Sequence, residues 1–330
     1  MDSTELVLGI DIGGTNTVFG YIDRSGQCRG ETMMPTRSEQ PPVTFFRRLS
    51  ESARALWAGL PGRHRLVGIG LGAPNGNAFR GTIEDPPNLS WTRVDVRKEL
   101  AAYWDLEVAV ANDANAAALG EGMFGAGRGM RDFIVITLGT GLGTGIVVNG
   151  ELVHGHSGFA GEIGHTIVVQ GGRPCGCGLL GCLETYVSAT GLITTVREQL
   201  AITSALSPLR NLAPAELTAR AVHEAALGGD PLSLEAFNFT GTILGRKLAD
   251  AVAHTSPEAI ILFGGLARAG GLLFEPARKA MEANLFSVFR GTVRLLPSGV
   301  PHGQAAIMGA AALIWNLHPT TDWSPPCESV

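Results

Sequence analysis

Leu106-Glu107-Val108-Ala109-Val110-Ala111 runs into Asn112-Asp113-Ala114-Asn115, and then into Ala116-Ala117-Ala118-Leu119-Gly120-Glu121. The first part is an apolar segment of strand length, and the last reads as the opening turns of a helix. A strand that turns directly into a helix is the building unit of an α/β sheet, whose ligands sit beyond the carboxyl ends of the strands. Asp113, at such a junction, could take a proton from a hydroxyl. Asn112 or Asp113 could equally serve as a helix N-cap, a common task for both residue types.

Outward from this junction, two other stretches share one pattern. Residues 6–12 form an apolar run that reads as a buried strand, Gly13-Gly14-Thr15-Asn16 makes a sharp turn, and residues 17–22 return as a second strand. The two glycines let backbone approach an anion, and the Thr15 hydroxyl and neighbouring N–H groups can donate to phosphate oxygens. Asp11 is placed to hold a hydrated Mg²⁺ beside those oxygens. Residues 133–138 are again a strand, followed by Gly139-Thr140-Gly141-Leu142-Gly143-Thr144-Gly145 and a returning strand at 146–149. This is neither a dinucleotide fingerprint nor a Walker loop, because no helix opens after it and no Gly-Lys-Ser/Thr occurs. Two such hairpins suggest two domains of similar topology facing one nucleotide. Gly264-Gly265, at the exit of a strand at 259–263, could lie against an adenine or ribose, since glycine lacks the side chain that would block close approach.

The chain has 330 residues, enough for two domains. It is 45% apolar and 17% charged, with 45 glycines dispersed along it, which fits a globular fold with many tight junctions. The net charge of −5 and the lack of a dense Lys/Arg block argue against a nucleic-acid partner. No signal peptide and no run of about 18 uncharged apolar residues is found, so the expectation is a cytoplasmic protein without a membrane span.

Three of the five cysteines fall within eight residues: Cys175, Cys177 and Cys182. With His165 they make four zinc-type ligands within 18 residues, separated by glycines that permit a tight wrap. Because all four positions are filled by protein, the zinc is expected to be structural. A loop this short would fix His165 and Glu184 relative to each other. Cys28 and Cys327 stand alone and read as plain core or surface positions.

Between these motifs, helices are expected at 41–60, 96–103, 187–200, 214–227, 231–253, 276–285 and 304–315, and a strand at 66–71. The strand at 66–71 leads into the turn-rich Pro74-Asn75-Gly76-Asn77, and Pro86-Pro87-Asn88-Leu89 follows. Gly76 and Asn88 could approach a small polar ligand, or could simply be turn residues. The tail from 318 onward is Pro-rich and is expected to be loosely held.

The ordered set Asp11 to Thr15, Asn112-Asp113, Leu138 to Gly145, Gly161 to His165, Cys175 to Glu184 and Phe263 to Gly265 resembles the ROK family (repressors, open reading frames and kinases) over residues 6–315. The resemblance implies the actin-like, ribonuclease H-like ATPase fold, with two α/β domains around a cleft. The smaller would comprise residues 1–112 plus about 303–330, and the larger 113–302 with a zinc loop at 165–182. The last helix would return to pack beside residues 1–112. It further implies ATP-dependent phosphorylation of a hexose, with D-glucose ahead of N-acetylmannosamine, N-acetylglucosamine, fructose or allose. Asp113 would be the base, and Asn112, Glu162, His165 and Glu184 the ligands of sugar hydroxyls. Gly76 and Asn88 match the sugar-facing loop less closely. Asp11, Gly14, Thr15 and Thr140, with Gly13, Asn16 and Gly141 in the same turns, fall on positions that hold Mg²⁺ and ATP phosphates. His165 would serve twice, one ring nitrogen on zinc and the other side of the ring toward sugar. A homodimer is also implied.

Phosphoryl transfer to a sugar needs a positioned hydroxyl, neutralised phosphate charge and exclusion of water, so closure of the domains on glucose is expected. A repressor of the same family would carry a DNA-binding module ahead of the body, and only about ten residues precede Gly13, so that role is not expected. A sugar sensor without catalysis has no use for a base such as Asp113.

Overall fold

The structure is a computed structural model that describes residues 3–301 and 303–318. Its packing divides the described residues into two units, one within 3–130, 152–160 and 299–318, and the other 131–151 with 161–298. The first unit thus continues past residue 112 and includes the helix that follows the Asn112-Asp113 junction.

The chain opens with β1 (Thr4–Ile12), β2 (Asn16–Asp23) and β3 (Cys28–Pro35), then α1 (Pro42–Ala58) and β4 (His64–Ala73). A small three-stranded sheet follows, made of β5 (Gly76–Asn77), β6 (Thr82–Glu84) and β7 (Arg93–Asp95). Then come α2 (Val96–Ala101), β8 (Val108–Asn112) and α3 (Asp113–Phe124). The main sheet has the order β3-β2-β1-β4-β8. Its first three strands are antiparallel, while β4 runs parallel to β1 and β8 parallel to β4. Tyr21, Phe45, Phe46, Leu49 and Ile69 are buried between this sheet and α1.

The second unit holds β9 (Phe133–Leu138), β10 (Leu142–Val148) and β11 (Glu151–Leu152). Its helices are α4 (Ala189–Ile202), α5 (Ala219–Leu227), α6 (Pro231–Thr255) and, after β12 (Ala259–Phe263), α7 (Gly271–Asn284); β13 (Arg294–Pro297) closes the sheet. The order β11-β10-β9-β12-β13, with an antiparallel β9-β10 hairpin and parallel β12 and β13, repeats the first sheet. The duplication expected from two Gly/Thr hairpins is therefore real at the level of topology. Helix α7 begins at Gly271, five residues before the expected start, with Pro276 inside it. Pro276 and Leu273 pack on Gly241 of α6, where a methyl would lie 2.6 Å from the Pro276 ring. Burial of that face carries the helix across the proline.

Finally α8 (Ala305–Leu317) returns to the first unit, against β1, β4 and α3. Its backbone lies directly on the sheet. A Cβ at Gly9 would sit 2.1 Å from the Ile307 carbonyl oxygen, and one at Gly70 would sit 1.8 Å from that of Ala310. The Pro-rich tail beyond 318, Cys327 included, lies outside the described residues.

Candidate active site and metal centre

In the first unit, Asp11 is the penultimate residue of β1 and Asp113 begins the helix after β8, with β4 between the two strands. Asp11 is in register with Gly72, and Gly72 with Ala111. A Cβ at Gly72 would stand 3.7 Å from the Asp113 Cα and 4.0 Å from Asp11 Oδ1. Both carboxylates therefore share one edge of the sheet, beyond the carboxyl ends of parallel strands. Burial, and then the charge of Asp113, push the Asp11 carboxyl up to about 7. Asp113 reaches solvent, yet the protein mass around it raises its pKa. Backbone N–H groups at 113 and 114 pull the other way, more weakly.

The cap reading of the junction is realised, and Asp113 keeps an exposed carboxylate beside the cap. Asn112 is the N-cap, its Oδ1 accepting from Ala114 N at 2.9 Å. Asp113 Oδ1 accepts from the same N–H at 2.8 Å, so one oxygen of the carboxylate is oriented by the helix start. Asn112 uses one lone pair of its oxygen on the cap and has its NH₂ to offer a ligand as donor.

The Gly13-Gly14-Thr15-Asn16 turn is braced from behind. Gly13 N donates to Asn16 O at 3.0 Å, and Thr36 Oγ1 donates to Gly13 O at 2.7 Å. Gly14, Thr15 and Asn16 are exposed. Asn88 lies on Gly14: a Cβ there would be 2.8 Å from Asn88 O. Gly76 covers the end of β8, where a Cβ would be 2.2 Å from Ala111 O. Asp11, Gly14, Asn88, Gly76, Asn112 and Asp113 are thus gathered along one edge. The sequence reading overlooked Asn77, fully buried, which donates to Ser157 O at 2.9 Å and accepts from the N–H groups of Phe79 and Arg80. It anchors residues 152–160 to the loop of Gly76.

The second unit repeats the edge. Gly264, with φ of +101°, lies against the end of β9; a Cβ would stand 2.6 Å from Leu138 O. Gly264-Gly265 and Gly139-Thr140-Gly141 are thereby neighbours. Thr140 is exposed, and its carbonyl accepts from Thr190 Oγ1 at 3.0 Å.

His165, Cys175, Cys177 and Cys182 converge, their ligand atoms all within 4.8 Å of one another. Cys177 Sγ and Cys182 Sγ are 3.7 Å apart, and Cys175 Sγ is 3.6 Å from His165 Nδ1. Tetrahedral zinc with bonds of about 2.3 Å requires sulfur–sulfur separations of about 3.8 Å, so the donor set fits that ion. Nδ1 is the ring nitrogen that meets Cys175, and Nε2 lies 3.8 Å from Glu162 Oε2. Arg173, just before the first cysteine, ties the loop to α4 through Glu198, Thr195 and the carbonyls of Thr185 and Gly191. Glu184 is half-buried beside the cluster, its Oε1 3.7 Å from Cys175 Sγ and its Oε2 accepting from Leu142 N at 2.9 Å. That second contact has no sequence signature, because its donor is a backbone N–H.

Known proteins match the chain along most of its length. The glucokinase of Halalkalibacterium halodurans is 37% identical over 290 residues, covering 84% of this chain and 85% of that protein. The glucokinase of Streptomyces coelicolor is 34% identical, covering 93% and 97%. Among solved structures, a ROK family glucokinase from Streptomyces griseus in complex with glucose and AMPPNP superposes with a TM-score of 0.77 at 33% identity, covering 93% of this chain and 98% of that one. The ROK family model spans residues 7–316, and this chain belongs to the ROK family.

Proposed function

We propose that this protein is an ATP-dependent sugar kinase of the glucokinase type, transferring the γ-phosphoryl group of ATP to the 6-hydroxyl of D-glucose. The observation that carries this reading is Asp113: a solvent-accessible carboxylate at a sheet edge, oriented by the helix start and raised in pKa by its surroundings. A raised pKa makes it a stronger base than an ordinary carboxylate while it still ionises. Asp113 accepts the proton of the 6-hydroxyl as the oxygen–phosphorus bond forms and the bond to the β-phosphate oxygen breaks, with ADP as leaving group. Glu162, His165 and Glu184 hold sugar hydroxyls, together with the amide of Asn112, and Gly76 and Asn88 line the approach. A neutral hexose needs such a mixture of donors and acceptors.

Gly13, Gly14, Thr15 and Asn16 on one turn, and Thr140 and Gly141 on the other, receive the phosphates, and Gly264-Gly265 the nucleoside. Magnesium bound near Asp11 supplies the positive charge that phosphoryl transfer requires. His165, Cys175, Cys177 and Cys182 would hold a zinc ion, which would fix the shape of the loop that presents His165 and Glu184. Cytoplasmic location, a homodimer and the lack of a nucleic-acid partner belong to the same proposal. No helix among the described residues is long and apolar enough to cross a membrane.

The test is ATP consumption by the purified protein across D-glucose, fructose, allose, N-acetylglucosamine and N-acetylmannosamine. Glucose is expected to give the highest kcat/KM with glucose 6-phosphate as product. Another sugar in first place would move the specificity, and silence on every sugar would favour a sensor.

A further inference from the structure

The carboxylate of Glu184 stands between the cysteine cluster, with Oε1 3.7 Å from Cys175 Sγ, and the second Gly/Thr turn. Its Oε2 accepts from Leu142 N at 2.9 Å and occupies the space over Gly141, where a Cβ would come within 2.2 Å of that oxygen. Two more hydrogen bonds fasten the same two segments: Ala189 N to Gly139 O at 2.9 Å, and Thr190 Oγ1 to Thr140 O at 3.0 Å. Ser188 Oγ donates to Glu184 O at 2.8 Å, which stiffens the stretch between. The backbone at Gly141 does not adopt a positive φ. An alanine there is conformationally ordinary, so its cost would fall on one neighbour, the Glu184 carboxylate.

We propose that Gly141 and the Leu142 N–H are positioning elements for sugar binding, acting through Glu184. The inference rests on the reading of Glu184 as a sugar ligand given above. An ionised carboxylate accepts several hydrogen bonds, and a fixed N–H on one oxygen sets the direction in which the remaining lone pairs point. Glycine at 141 leaves room for that arrangement. A side chain there swings the carboxylate off Leu142 N–H and away from the orientation that meets a sugar hydroxyl. A residue in the turn assigned to nucleotide phosphates thus controls affinity for the other substrate.

The experiment is D-glucose binding by calorimetry to the zinc-loaded protein without nucleotide, for the parent, Gly141→Ala, Glu184→Ala and the double variant. Loss of a hydrogen bond to a charged group predicts a rise in glucose Kd of roughly tenfold for Gly141→Ala. The double variant should bind no more weakly than Glu184→Ala alone, because both changes act on one group. Gly139→Ala, in the same turn but with nothing within 4 Å of the added methyl, should leave glucose affinity unchanged. In the unsubstituted protein, the ¹⁵N–¹H resonance of Leu142 should shift when glucose is added.

If Gly141→Ala keeps the parental Kd while Glu184→Ala weakens binding, the positioning role is overturned and the sugar-ligand reading survives. If Glu184→Ala itself keeps the parental Kd, that reading falls and takes this inference with it. A Leu142 resonance unmoved by saturating glucose also contradicts the link.

Discussion

Asp11 carries a cost that its position explains. Its carboxyl is raised to about 7, first by burial and then by the Asp113 charge. The unfolded chain releases this proton near pH 4, whereas the folded chain keeps it until about pH 7. Folding stability without magnesium or nucleotide therefore falls as pH rises across that window, and the penalty is complete above it. Asp11→Asn removes the ionisation. It should raise the melting temperature relative to the parent at pH 8 and bring much less gain at pH 4.5, measured by thermal unfolding in metal-free buffer. An equal difference at the two pH values would show that Asp11 is not strained by its charge. A carboxylate kept at such cost is consistent with a cation being present when the enzyme works.

At the scale of elements, two contacts carry the architecture. Helix α8 touches the first sheet through Gly9 and Gly70, without intervening side chains. Gly70→Ala should destabilise the protein by about 1–3 kcal/mol, as overpacking does, and lower the melting temperature. An unchanged unfolding curve would mean that the helix can lift off without penalty. The zinc loop is the other contact. Metal analysis should find about one zinc per chain, and Cys177→Ser should lose both the metal and glucose affinity. Retained zinc with unchanged affinity would refute the structural assignment. Much of this was readable in the sequence. The runs at 133–138 and 259–263 are continuous apolar segments and appear as strands with those bounds. The spacing of His165, Cys175, Cys177 and Cys182 likewise announced that these four side chains converge. Strand β3 was not legible, since an edge strand with alternating exposure and the residues Arg29 and Glu31 lacks an apolar run. The start of α7 was hidden because Pro276 is a start signal that packing against Gly241 overrides. The Glu184–Leu142 link was beyond reach for want of any side-chain donor.

Over the whole molecule, one strand order occurs twice, each time with a Gly/Thr hairpin at the centre of the sheet. The copies then diverge in what surrounds the hairpin. The first sheet brings the carboxylates Asp11 and Asp113 to its edge, and the second unit sets Glu162, His165 and Glu184 in and around the His/Cys cluster. The most direct test compares Asp113→Asn with the parent in glucose 6-phosphate formation at saturating ATP and D-glucose, alongside calorimetric glucose binding. The account predicts a fall in kcat of at least about 10²-fold with glucose affinity largely kept. An Asp113→Asn enzyme turning over at the parental rate would contradict it.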